Sequence, residues 1–113
     1  MTTVNGIDVA LIGLDWGSTN LRAYAFDSAG KVVESRTSRA GALTLSGDDA
    51  FDSALRNIVA PWVSAAITAP LIACGMVGSK SGWREAAYCA AGADAGALAR
   101  HTLRVETSLG VPL

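Results

Sequence analysis

Histidine, cysteine and proline are scarce in this chain, with one, two and three copies among 113 residues. The cysteines, Cys74 and Cys89, stand far apart, with no CxxC and no Cys/His cluster. That excludes a disulfide-stapled secreted domain or a zinc ribbon, and two isolated thiols fit a reducing cytoplasm. The solitary His101 follows an Ala-rich stretch and reads as an exposed or hydrogen-bonded residue rather than a catalytic base. Charge of one sign is also missing: 9 Lys+Arg face 10 Asp+Glu, with no basic run. A nucleic-acid partner is therefore not expected. No apolar run approaches the roughly 18–20 residues a membrane-spanning helix needs. Met1 to Gly6 has neither the positive charge nor the long apolar core of a secretory leader. No solenoid, collagen or coiled-coil period is present. What is present is apolar, with 50% hydrophobic residues and a net charge of −1. This balance excludes a disordered tail. The length suits one domain with its own core.

Hydrophobic periodicity divides the chain. Asp8 to Leu14 is a short, nearly continuous apolar run, the pattern of a strand buried on both faces. Asp15-Trp16-Gly17-Ser18-Thr19-Asn20 interrupts it with turn chemistry. Leu21 to Asp27 alternates, with Arg22, Tyr24 and Phe26 on one face and Leu21, Ala23 and Ala25 on the other. After the turn Asp27-Ser28-Ala29-Gly30, Lys31 to Ser38 supplies a third strand, so the three form an antiparallel meander. Phe51, Leu55, Ile58, Val59, Trp62, Ala66 and Ile67 then recur at helical spacing. Ser46-Gly47-Asp48-Asp49 offers an N-cap with acids in the first turn. Pro61 leaves two alternatives: one helix kinked there, which the spacing favours, or a stop near Ala60 and a new turn beginning at Pro61. Pro70 to Cys74 is a fourth strand, again apolar on both faces, returning to the sheet by a crossover. Gly75 to Trp83 is a Gly/Ser-rich loop, Ala86 to Ala99 is loop or short helix, and Thr102 to Thr107 is a further candidate strand. The expected class is α/β.

Two constellations carry chemistry. In the first, a strand delivers Asp15 at its end, where a carboxylate can hold Mg²⁺ directly or through water. Gly17 lets the backbone approach a phosphate, and the amides and hydroxyls of Ser18, Thr19 and Asn20 can donate to its oxygens. Arg22 adds a fixed positive charge. Asp-x-Gly-Ser alone is also the composition of an ordinary polar β-turn; the flanking strands make the phosphate reading the stronger one. The second is Gly75-Met76-Val77-Gly78-Ser79 followed by Gly82-Trp83-Arg84-Glu85. If the first and fourth strands are parallel neighbours, both loops open at the same end of the sheet, where α/β ligands collect. Trp83 then offers a flat apolar wall, Arg84 a clamp for a carboxylate, and Glu85 an acceptor for hydroxyls. A packed Trp beside a solvated Arg–Glu pair gives the same spacing.

The stretch Ile12 to Tyr24, with Asp15-Trp16-Gly17-Ser18-Thr19-Asn20 and Arg22, resembles the first phosphate motif of the sugar-kinase, Hsp70 and actin superfamily. With Gly75 to Ser79 and Gly82-Trp83-Arg84-Glu85-Ala86, it resembles more narrowly the 2-dehydro-3-deoxygalactonokinase family. One departure is visible, Ala87 before Tyr88 where that family's pattern has proline. The resemblance implies a ribonuclease-H-like, actin-like ATPase lobe spanning residues 1–113. It also implies a cytoplasmic ATP- and Mg²⁺-dependent kinase, with a small sugar acid as partner. The reaction implied is 6-phosphorylation of 2-dehydro-3-deoxygalactonate in galactonate breakdown. Asp15 and Arg22 are the implied catalytic residues and Asp15 the metal ligand. Gly17, Ser18, Thr19 and Asn20 would hold the nucleotide, and Ser79, Trp83, Arg84 and Glu85 the acid. Only the first of two lobes has a counterpart here, so the chain is expected to be incomplete, inactive alone and prone to self-association. Two other readings remain, an actin-like nucleotide-binding scaffold and a sugar-responsive regulatory module. The Trp83-Arg84-Glu85 loop argues against the scaffold, and the lack of a helix-turn-helix ahead of the first strand argues against the regulator.

Overall fold

A computed structural model describes residues 2–4, 7–62, 69–79, 82–83 and 107. A short hairpin, β1 (Thr2–Val4) and β2 (Ile7–Val9), precedes the main sheet. That sheet is built from β3 (Leu11–Trp16), β4 (Leu21–Phe26), β5 (Val32–Ser38) and β6 (Leu71–Cys74) in the order β5-β4-β3-β6. β3, β4 and β5 form the expected antiparallel meander, and β6 lies parallel to β3 after a crossover through α1 (Asp48–Val59). The architecture is thus a mixed four-stranded sheet with one helix.

The strand from Asp8 to Leu14 is shifted relative to the sequence reading. β2 ends at Val9, the chain bends at Ala10, and β3 runs on through Asp15 and Trp16. Those two residues belong to the ladder because they pair with Arg22 and Leu21, leaving only Gly17 to Asn20 for the turn. The missed N-terminal hairpin carries its own signal. The Val4–Ile7 register leaves Asn5-Gly6 as the two-residue connection, a composition suited to tight hairpins.

Strand alternation sets the two faces of the sheet. Ile12, Leu14 and Trp16 of β3 and Leu21, Ala23 and Ala25 of β4 are buried on one face. Phe51, Leu55, Ile58 and Val59 of α1, with Trp62 just beyond it, complete the same core. Their spacing places them on a single helix face. The opposite face is only partly covered, and Ile72 of β6 is 51% exposed. The expectation that the first and fourth strands are apolar and buried on both faces therefore fails on that side. The β4–β5 connection is held by Asp27, whose Oδ1 accepts from the amides of Ala29 and Lys31 at 2.9 Å each. Gly30 supplies the left-handed turn position at φ 82°.

The helix stops at Val59 and continues as a 3₁₀ turn over Ala60–Trp62. At Pro61 the α-helix therefore stops rather than kinks, since Pro61 lacks the amide an α-helical bond would need there; Ala66 and Ile67 of the expected helix lie outside the described residues. Ser46 does not cap the helix: Gly47 stands at the cap with φ 87° and no side-chain bond, while Asp48 and Asp49 occupy the first turn as expected. The expected readings for Ala86 to Ala99 and for a strand ending at Thr107 lie outside the described residues, Thr107 excepted.

Candidate functional site

β3 and β6 end side by side, with Asp15 in register with Cys74 on one flank and with Arg22 of β4 on the other. Thr37 of β5 completes the row beyond Arg22. All four residues project from the face opposite α1, as alternation requires. Asp15 and Arg22 are exposed and line a shallow open cleft of about 130 Å³ together with Gly17, Ser18, Thr19 and Asn20. The first set of sequence-predicted residues is therefore brought together in full.

The hairpin between β3 and β4 is closed by the Gly17 amide donating to the Asn20 carbonyl at 2.9 Å. Two of its other carbonyls are taken by the segment that follows β5. The amide of Ala42 donates to Gly17 O at 2.8 Å and that of Leu43 to Ser18 O at 3.1 Å, both from the 3₁₀ turn Ala42–Thr44. The amides of Ser18, Thr19 and Asn20 have no backbone acceptor among the described residues. A cluster of donors with no acceptor, beside an arginine, is suited to an anion such as phosphate. The sequence reading missed this backing segment. Gly41 is its tightest point, where a Cβ would collide with the backbone of Thr19 and Ser18. Its φ of −64° is open to any residue, so the close approach alone demands glycine. Trp16 anchors the same segment, its indole N–H donating to Ala40 O at 2.8 Å.

The second loop starts beside the first. Gly75, at φ 101°, lies so close to β3 that a Cβ would stand 2.7 Å from Trp16 O. The chain then turns through a 3₁₀ segment, Met76–Gly78. The Ser79 hydroxyl donates to Met76 O at 2.7 Å, so its proton is committed inside the turn. Trp83 is 7% exposed and lies on the α1 side of the sheet, away from the Asp15–Arg22 face. It stacks on Phe51 with centroids 5.6 Å apart and meets Trp16 edge-on at 6.1 Å. Its indole N–H donates to Asp48 Oδ1 at 2.9 Å. This ring is packed where the sequence reading expected an open wall. Arg84 and Glu85 lie outside the described residues.

Cys74 is exposed, yet desolvation by the surrounding chain pushes its thiol pKa up, and the neighbouring Asp15 carboxylate pushes it further. The thiol is thereby kept protonated beside the cleft. No cluster of three His, Cys, Asp or Glu side chains gathers among the described residues, and of these residue types Asp15 alone lines the cleft as a candidate metal ligand. Mg²⁺ accepts such a site, because it keeps several waters and takes phosphate oxygens as ligands.

By fold and site, the molecule is an α/β chain with an anion-receptive hairpin at the end of a mixed sheet. A sequence model of the 2-keto-3-deoxy-galactonokinase family matches residues 15–112, and the chain belongs to that family. The 2-dehydro-3-deoxygalactonokinase of Escherichia coli (strain K12) is 39% identical over 77 residues, 68% of this chain and 25% of that protein. A Rhizobium meliloti (strain 1021) protein provisionally given the same name is 36% identical over 75 residues, 66% of this chain and 24% of its own length. A crystal structure of a candidate 2-dehydro-3-deoxygalactonokinase from Sinorhizobium meliloti is similar with a TM-score of 0.72. The two are 27% identical, and the match covers 88% of this chain and 32% of that one. The chain thus spans about a quarter of the length of the curated relatives it matches.

Proposed function

We propose that the chain forms the first, ribonuclease-H-like (actin-like ATPase) lobe of a cytoplasmic sugar-acid kinase. In this reading the γ-phosphoryl group of ATP passes to the 6-hydroxyl of 2-dehydro-3-deoxygalactonate, in galactonate breakdown. The bond from phosphorus to the ADP oxygen breaks as the bond to O6 forms, ADP leaves, and the proton of the 6-hydroxyl is released. The observation that carries the proposal is the Gly17–Asn20 hairpin, with the Gly17 and Ser18 carbonyls bonded by the backing turn and the amides of Ser18, Thr19 and Asn20 without a backbone acceptor among the described residues, lining one cleft with Asp15 and Arg22. Family membership and the names of the relatives support the substrate class.

The residues present fit the nucleotide and its metal. Asp15 would hold Mg²⁺ through one carboxylate, and Gly17, Ser18, Thr19 and Asn20 would hold phosphate oxygens. The metal would supply charge neutralisation at the transferring phosphoryl group. Arg22, directly across from Asp15, would stabilise the charge that builds there. Ser79, Arg84 and Glu85 would bind the acid, Arg84 at its carboxylate, with Trp83 supporting the loop from within. The test is Asp15→Asn in protein expressed from the complete reading frame. Turnover should fall by about two orders of magnitude or more while the melting temperature stays within a few degrees. Near-normal turnover in the folded variant would reject the role.

A further inference from the structure

Trp83 is fixed on every side that the structure describes. Its amide donates to Val77 O at 2.9 Å. Its ring stacks on Phe51 and abuts Trp16. The residue before it, Gly82, leaves no room for a Cβ against the carbonyls of Met76 and Val77. Aromatic packing alone restrains a ring loosely about its own plane, because dispersion has little directionality. A directional restraint is added by the hydrogen bond from the indole N–H to Asp48 Oδ1 at 2.9 Å. Asp48 is the first residue of α1, 35 positions away, on the helix that packs against the sheet. An ionised acceptor makes this bond shorter and stronger than a neutral one. It ties the loop leaving β6 to a rigid element.

We propose that Asp48 is a positioning residue for the acceptor loop. Through Trp83 it sets the position of the residues bonded next to it, Arg84 and Glu85, and hence the fit of the sugar acid, while Asp48 is not among the residues lining the Asp15–Arg22 cleft on the opposite face. This inference rests on the kinase reading and adds to it a residue that touches neither substrate. The reasoning requires only chain adjacency: a residue bonded directly to Trp83 cannot be placed repeatedly if Trp83 turns. Orientation errors of about 1 Å cost a reaction up to roughly a hundredfold.

The test uses protein expressed from the complete reading frame, assayed for ADP formation with the keto-deoxy acid as acceptor. Four variants are compared with the unaltered protein: Asp48→Ala, Asp48→Asn, Trp83→Phe and Arg84→Ala. Amide hydrogen exchange is followed over residues 75–83 in each. Asp48→Ala should raise KM for the acid about tenfold or more, leave KM for ATP within about twofold, and speed exchange at 82–83 but not in β3 and β4. Asp48→Asn keeps an acceptor oxygen and should restore the acid KM. A general loss of helix stability, through the missing first-turn charge, would instead persist in it. Trp83→Phe keeps most of the ring and should reproduce Asp48→Ala. Equal KM changes for both substrates, no rescue by Asp48→Asn, or unchanged exchange at 82–83 would overturn the positioning role. The substrate reading would still stand on acid-dependent turnover and on its sensitivity to Arg84→Ala. Absence of any acid-dependent ADP formation in the unaltered protein would overturn both.

Discussion

Asp15 and Cys74 share one register position on neighbouring parallel strands, so each is a probe of the other. Desolvation first, and the Asp15 carboxylate second, raise the thiol pKa. The sign follows from linkage. The fold prefers the protonated thiol, a stabilisation present below the thiol's ordinary pKa and lost as pH rises through the raised one. Since the thiolate is the nucleophile, Cys74 should resist iodoacetamide at neutral pH. In a Cys89→Ser background, the pH midpoint for its alkylation should lie above that of an unstructured cysteine, and Asp15→Asn should bring it partway down. A midpoint at or below the unstructured value, read by mass spectrometry, would contradict the arrangement. At this scale the sequence was legible where the signal is local. Gly17, Ser18, Thr19 and Asn20 announce a turn by composition, and alternation places Arg22 on the face of Asp15. Trp83 was not legible in the same way. A tryptophan after Ser81-Gly82 gives no hint of its partners, and those partners, Asp48 and Phe51, are brought to it only by the packing of α1.

Among the elements, the hairpin and the 3₁₀ turn behind it act as a unit. The turn donates two amides into the hairpin and approaches it at Gly41 with no space for a side chain. Gly41→Ala should therefore push the hairpin outward. Overpacking of this kind costs about 1–3 kcal/mol, enough to lower the melting temperature by several degrees in a domain of this size. Because the displaced residues, Ser18 and Thr19, also line the cleft, KM for ATP should rise about tenfold or more in protein expressed from the complete reading frame. An unchanged KM for ATP would mean that the backing turn does not position the hairpin. Ala40-Gly41-Ala42 looks like a connector in the sequence because its backbone angle is ordinary and its neighbours are small; only the folded sheet brings Thr19 against it. The crossover from α1 to a parallel β6 was legible, since a helix-period segment followed by an apolar run has few other ways home. The helix end was less so. Apolar spacing continues past Pro61 to Trp62, and Trp62 does join the core, but through a 3₁₀ turn.

For the whole molecule, one inventory governs what these 113 residues can do by themselves. The described part supplies a hairpin whose free amides suit a phosphate and a loop after β6 anchored through Trp83. Phosphoryl transfer needs nucleotide, metal and acceptor held in line, and most of its acceleration comes from that positioning. The matched relatives are between two and three times as long as this chain, which leaves room for a second lobe. Residues 1–113 expressed alone should therefore fold, by circular dichroism, into a mixed α/β unit that releases no ADP in the presence of the keto-deoxy acid. Val32, Val33 and Ile72 are exposed large apolar residues of the sheet, and Leu43 is another on the 3₁₀ turn beside it. β5 and β6 are the two edges of the described sheet, so each edge offers exposed apolar residues to a second molecule. Light scattering on the purified piece should accordingly report self-association that weakens on changing Ile72 to a polar residue. Robust, acid-dependent ADP release by a well-folded monomer would show instead that a complete active site is built from these residues. Arg84 and Glu85 would then have to meet the Asp15 cleft without help from any other lobe.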